Sequence, residues 1–260
     1  MKRTLSIVVT AAATLALAAL MAFPQLAAPA NAGKFAGSCQ NLPSASELRQ
    51  LLIQAQNVNK PIGGLFEGTR MWAAVVNRDG EVCAYTTSTS DPTQVWPGSQ
   101  AIAKSKAYAA NAFSLDDFAL STARLYTFTQ PGHSLWSLGQ SNLFNPQFLA
   151  PPGGQGGGQN QLVAGLIFFG GGVPLYRNGK IVGGLGVSGD TSCADHEIAK
   201  RVRNLASLNP AGGALADDIV YSPPDPPSVF AHPVCPNTYR NGIFIGNEAP
   251  ATYPLVPPGP

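Results

Sequence analysis

Charge is scarce in this sequence. Asp, Glu, Lys and Arg make up only 12% of the residues, about half the share of an ordinary soluble domain. Lys and Arg number 16 against 14 Asp and Glu, and two of the cations, Lys2 and Arg3, stand at the extreme N-terminus. The remainder is electrically balanced, which excludes the basic field a nucleic-acid binder needs to neutralise phosphates. Histidine is scarcer still: His133, His196 and His232 are the only three and lie far apart. There is no His-Glu-x-x-His, no Cys-x-x-Cys and no Walker loop, so no zinc, redox or nucleotide signature of those types is readable. Ser188 lacks the second glycine of a Gly-x-Ser-x-Gly elbow, and no catalytic constellation supports an enzyme. What the chain does have is apolar residues, 45% of 260, enough to bury a real core, together with 28 glycines and 23 prolines placed unevenly.

Residues 1–32 have the pattern of a secretory signal peptide. Lys2 and Arg3 precede an apolar and small-residue run from Ile7 to Phe23, and Ala30-Asn31-Ala32 is an Ala-x-Ala cleavage site. Pro24 and the Pro/Ala-rich stretch after it argue against a retained membrane anchor. The expectation is a periplasmic or secreted protein cleaved after Ala32, with no membrane association after removal. Four cysteines, Cys39, Cys83, Cys193 and Cys235, suit an oxidising compartment. They allow three pairings. Near-neighbour bridges, Cys39–Cys83 and Cys193–Cys235, are preferred, each closing a loop worth roughly 4 kcal/mol in the chain-entropy model. A cross-pair such as Cys39–Cys235 remains open.

Within the mature chain, helical spacing of Leu48, Leu51, Leu52 and Ala55 predicts a helix over 42–58, capped by Ser44 or Ser46. Met71–Ser88 reads as a hairpin turning at Asp79-Gly80, and Ser99–Phe113 as an Ala-rich helix, with a second helix over 115–125. Residues 127–162, rich in Gly and Pro, read as a long loop insertion. Leu166–Phe169 and Val173–Tyr176 are expected to be extended, Asn178-Gly179 to turn, and Ile181–Val187 to return. Thr191 or Ser192 opens a last helix to about Leu208, with Ser192 and Asp195 resembling a capping box. From 209 to 260 recurring prolines predict an extended tail lying over a surface, its own or a neighbour's. The order implies an α+β domain over 33–208, one antiparallel sheet with helices on its faces.

Gly184-Leu-Gly186-Val-Ser-Gly189 matches the dinucleotide fingerprint Gly-x-Gly-x-x-Gly. Its context does not. The preceding strand leaves an Asn-Gly hairpin and must pair antiparallel, and a Pro-rich tail stands where a second parallel strand is required. The remaining reading is a glycine-rich strand that lets a helix or another subunit approach closely.

The block from Gly170 to Gly189, Gly-Gly-Gly-Val-Pro followed by a turn and Gly-Leu-Gly-Val-Ser-Gly, resembles the GlcG/HbpS-like family. The continuation Asp190 to Ala199, the helix Ala103-Lys-Ser-Lys106-Ala-Tyr-Ala-Ala110 and the Asn77–Gly80 turn are similar too, Ala109 standing where the family has Thr. The resemblance covers roughly 42–125 and 162–208; the loop 127–162 and the tail 209–260 depart from it. It implies an antiparallel sheet flanked by helices, a tendency to form homo-oligomers, and association with haem in some members.

Haem or another small hydrophobic ligand is therefore the expected partner. Haem needs an apolar slot, cations for its propionates and often an axial ligand. Phe168, Phe169, Tyr108 and Trp136 are candidate walls, and Lys106, Lys200 and Arg203 candidate cations. His196 lies about 200° from Ala194 around the last helix, so it is expected to face away from the core with Lys200 and Arg203 at i+4 and i+7. It is the candidate axial metal ligand. The alternative is a non-catalytic interaction module that oligomerises through its sheet, loop and tail.

Overall fold

The computed structural model describes residues 38–141 and 165–250. The signal-peptide reading, the end of the long loop and the last prolines lie outside them. Four strands, β1 (Trp72–Asn77), β2 (Val82–Thr87), β3 (Gly172–Arg177) and β4 (Lys180–Ser188), form a fully antiparallel sheet in the order β2-β1-β4-β3. Helices α1 (Ala45–Gln56) and α4 (Ser192–Leu205) cover one face, and α2 (Ser99–Ala112) covers the other. A short helix, α3 (Trp136–Ser141), follows α2 along the chain.

Both sheet faces are buried, so the strands read as apolar runs and do not alternate. Every residue of β1 is buried. Ala73 and Val75 join Leu48, Leu52, Leu185, Val187, Ile198 and Val202 in one core; Trp72, Ala74 and Val76 join Ala103 and Ala107 in the other. The expected α+β architecture is present.

Local chemistry accounts for the boundaries. Ser44 caps α1 in a reciprocal capping box with Glu47, whose carboxylate accepts from the Ser44 amide at 2.8 Å. Asn178 and Gly179 both take left-handed φ, 51° and 74°, as a two-residue hairpin turn requires. The last helix is capped by Thr191, whose hydroxyl accepts from the Ala194 amide. The expected Ser192–Asp195 box does not form, because Asp195 is turned inward to other partners. The glycine-rich strand β4 has the packing role read for it: a Cβ on Gly186 would stand 1.9 Å from the Ala103 carbonyl of α2, and one on Gly184 would stand 2.1 Å from that of Ala107. Its neighbours β1 and β3 are both antiparallel, which removes the dinucleotide reading.

Three expectations change. Residues 115–125 hold an isolated bridge, Leu115 with Phe118, and a 3-10 turn at Thr122–Leu125, in place of a helix. Leu166–Phe169 belongs to no strand, since its side chains pack against Phe113, Leu120 and Leu125 and its backbone leaves the sheet. The described part of the loop insertion carries a 3-10 turn at Thr127–Thr129 and α3.

Residues 209–250 fold back on their own chain. They form a parallel pair, β5 (Val220–Tyr221) with β6 (Ala231–His232), and an antiparallel pair, β7 (Thr238–Arg240) with β8 (Ile243–Gly246). The disulfides Cys39–Cys83 and Cys193–Cys235 are the near-neighbour pairs preferred from the sequence, and the second ties this segment to the start of α4. Among the described residues no helix is long and apolar enough to cross a membrane.

Candidate functional site

The outer face of α4 was expected to be open, and the structure closes it. His196, Lys200 and Arg203 are all buried, Arg203 against the Pro174 carbonyl of β3, and residues 214–218 lie against them. Arg203 is 1% exposed and grips Asp217 with both terminal nitrogens, at 2.6 and 2.9 Å, while donating to the carbonyls of Pro174 and Ala214. Lys200 pairs with Glu197 and reaches both oxygens of Asp218, at 2.9 and 3.1 Å. His196 is 1% exposed; its Nε2 stands 3.4 Å from Asp218 Oδ1 without hydrogen-bond geometry, and neither ring nitrogen has a hydrogen-bond partner. Burial alone would raise the Asp218 carboxyl, but His196 and Lys200 beside it outweigh burial and hold it well below the carboxylate range.

Lys106 is equally committed. Its ammonium is wholly buried, 2.7 Å from Asp195 Oδ2, 3.1 Å from the Val187 carbonyl and 4.7 Å from the centre of the Phe169 ring. Burial pushes its pKa down against the pull of Asp195, and pushes Asp195 up to about 6 against the pull of Lys106. Haem on the α4 face therefore does not fit these residues. The cations proposed for its propionates are neutralised by carboxylates, and the segment after α4 occupies the space. The sequence reading missed Asp217 and Asp218 because nothing in their spacing shows that 209–218 returns to α4, and it gave Asp195 a capping role in place of its pairing with Lys106. Asp190 was missed similarly. Its carboxylate gathers the amides of Leu65, Phe66, Gly68 and Thr191 at 2.6 to 3.1 Å and shapes the loop before β1.

Three of the four candidate wall residues do converge elsewhere. Trp136, Phe168 and Phe169 line one open groove of about 320 Å³, together with Tyr126, Leu166, Ile167 and the polar Thr129, Gln130 and Gln140. Phe168 is anchored edge-to-face on Phe113, with ring centres 5.7 Å apart, whereas Trp136 is 41% exposed. Tyr108 lies apart, its ring against Gly80 in the first hairpin. The third histidine region borders the groove: the Tyr126 ring stands 5.0 Å from that of His232. His232 accepts from the Gly170 amide at Nε2 and lies 2.7 Å from the Pro233 carbonyl at Nδ1, and burial lowers its pKa to about 4, so it stays neutral. His133 is exposed in the turn that leads into α3, its carbonyl accepting from the Trp136 amide. The groove is thus an aromatic slot whose lining is about as polar as it is apolar, with no charged residue in it.

An antiparallel sheet between helices, with a glycine-rich strand pressed on α2 and an aromatic groove at one end of the irregular connection, defines the chain as an α+β domain. The family model for "Haem degrading protein HbpS-like" matches residues 64–203, more than half of the chain. The chain belongs to the HbpS-like family. Among solved structures it is similar to a PduOC–heme complex (22% identity, TM-score 0.43, covering 62% of this chain and 91% of that one). It is also similar to the Klebsiella pneumoniae protein ORFY (22%, TM-score 0.43, 63% and 88%) and to a doubly substituted HbpS of Streptomyces reticuli (18%, TM-score 0.39, 75% and 98%). No ligand assignment follows from matches at this level. A search of curated proteins returns no match.

Proposed function

We propose that the protein is an exported haem-binding protein, and that the macrocycle lies in the aromatic groove of Tyr126, Trp136, Phe168 and Phe169. The observation that carries this reading is the convergence of those rings in one slot of a chain whose family is described by haem. Flat apolar ligands are held by aromatic faces with few polar contacts. The groove residues present fit the macrocycle's apolar body: Phe168 and Phe169 offer aromatic floor, Trp136 an exposed aromatic wall, and Gln130 and Gln140 polar amides. When bound, haem would supply iron for ligation, and His133 is the exposed imidazole nearest in sequence to the wall. The signal-peptide pattern of 1–32 and the disulfides support export.

The competing reading, a module whose tail clasps a neighbour, loses its motivation because residues 209–250 pack on their own α4. Haem titration of the full chain followed by absorbance tests the proposal. A Soret maximum displaced from that of free haemin, saturating near one haem per chain and weakened about tenfold or more by Trp136→Ala, is expected. A spectrum equal to free haemin would end it.

A further inference from the structure

The two sulfurs of the Cys193–Cys235 disulfide and a ring nitrogen of His232 lie within 4.8 Å of one another, and all three residues are buried. His232-Pro-Val-Cys235 brings two of these donors from one short segment, and the third comes from the first turn of α4. The surroundings suit a sulfur anion. The Cys193 amide donates to Cys235 Sγ at 3.3 Å, and the Ser192 hydroxyl is 3.3 Å from the same atom. Amide donors and the positive end of a helix both stabilise a thiolate. His232 lies 2.7 Å from the Pro233 carbonyl at Nδ1 and 3.2 Å from the Gly170 amide at Nε2, so each ring nitrogen is held by one hydrogen bond. The nitrogen that faces the sulfurs would exchange its hydrogen bond for a metal bond.

We propose that, once the disulfide is reduced, Cys193, Cys235 and His232 form a binding site for cuprous ion. Two thiolates and an imidazole are a soft donor set. Among the described residues no fourth His, Cys, Asp or Glu joins the cluster, which suits a three-coordinate monovalent ion better than tetrahedral zinc. Reduction does not free the segment that carries Cys235. His232 with the Gly170 amide, the Asn237 carbonyl with the Gly64 amide and the Asn241 amide with Glu197 of α4 still hold it on both sides. With a phosphine as reductant, the disulfide gains two electrons and two protons as water's oxygen passes to the phosphine oxide. Cu(I) then displaces the two thiol protons to solvent.

The test uses the full chain carrying Cys39→Ser and Cys83→Ser, so that the pair in question supplies the only thiols. It is reduced, freed of phosphine without oxygen, and titrated with Cu(I) held as its coloured bathocuproine disulfonate complex. One Cu(I) per chain is expected in the reduced protein and none in the oxidised protein, with affinity reduced at least tenfold by His232→Ala. X-ray absorption of the loaded reduced protein should show two sulfurs and one nitrogen around copper, and it decides the matter if His232→Ala fails to fold. No uptake on reduction, equal uptake by the oxidised protein, or a shell without nitrogen would overturn the proposal.

Discussion

Lys106 and Asp195 show how much one residue pair contributes here. Each is buried, and removing either alone leaves the other charge without compensation, so Lys106→Met is expected to cost about 3–5 kcal/mol in urea unfolding. The pair also predicts a pH dependence. Burial raises Asp195 to about 6 from an ordinary 3.8, so folding favours its protonated form. Its contribution is fully present below pH ~4 and is lost as pH rises through about 6. The Lys106→Met/Asp195→Asn double variant lacks this titration. Thermal midpoints should therefore show wild type losing ground to the double variant between pH ~4 and ~6, and a difference flat across that window would refute the assignment. Arg203 obeys the same logic: Arg203→Met strands Asp217, which is 0% exposed, and should cost about 3–5 kcal/mol, part of it recovered by adding Asp217→Asn.

At the scale of elements, the tightest constraint is the contact of β4 with α2. Any side chain at Gly186 meets backbone, which cannot rotate away, so Gly186→Ala should cost about 3 kcal/mol or force α2 outward. Gly98→Ala, at a position with nothing within 4 Å of the added carbon, should stay within about 0.5 kcal/mol. Urea midpoints of the two variants check the contrast. These elements were legible in the sequence because their causes are local: Ser44 and Glu47 three residues apart, Asn178-Gly179 between apolar runs, glycines at alternate positions of one strand. What was not legible has long-range causes. The 209–250 segment has no periodicity of its own and is ordered by Asp217, Asp218 and Cys235 reaching α4. That return burial turned His196, Lys200 and Arg203 from an open face into a covered one. Phe168, Phe169 and Trp136 could be named as apolar wall material. Their meeting with Tyr126 could not, since they flank the least regular stretch of the chain.

For the whole molecule, two roles expected together on α4 fall on different surfaces. The charged face of that helix holds the C-terminal segment in place, and under the proposed function the ligand lies in the aromatic groove. The two roles are distinguishable by substitution, because no residue of the groove lining contributes to the α4 clasp. The most direct measurement is a haem titration of the full chain beside Trp136→Ala and His196→Ala, each checked for folding by circular dichroism. The account predicts a displaced Soret band in wild type, affinity about tenfold or more lower in Trp136→Ala, and an unchanged band in folded His196→Ala. Wild-type binding that survives Trp136→Ala but disappears in a folded His196→Ala would place the ligand at the helix face and contradict it.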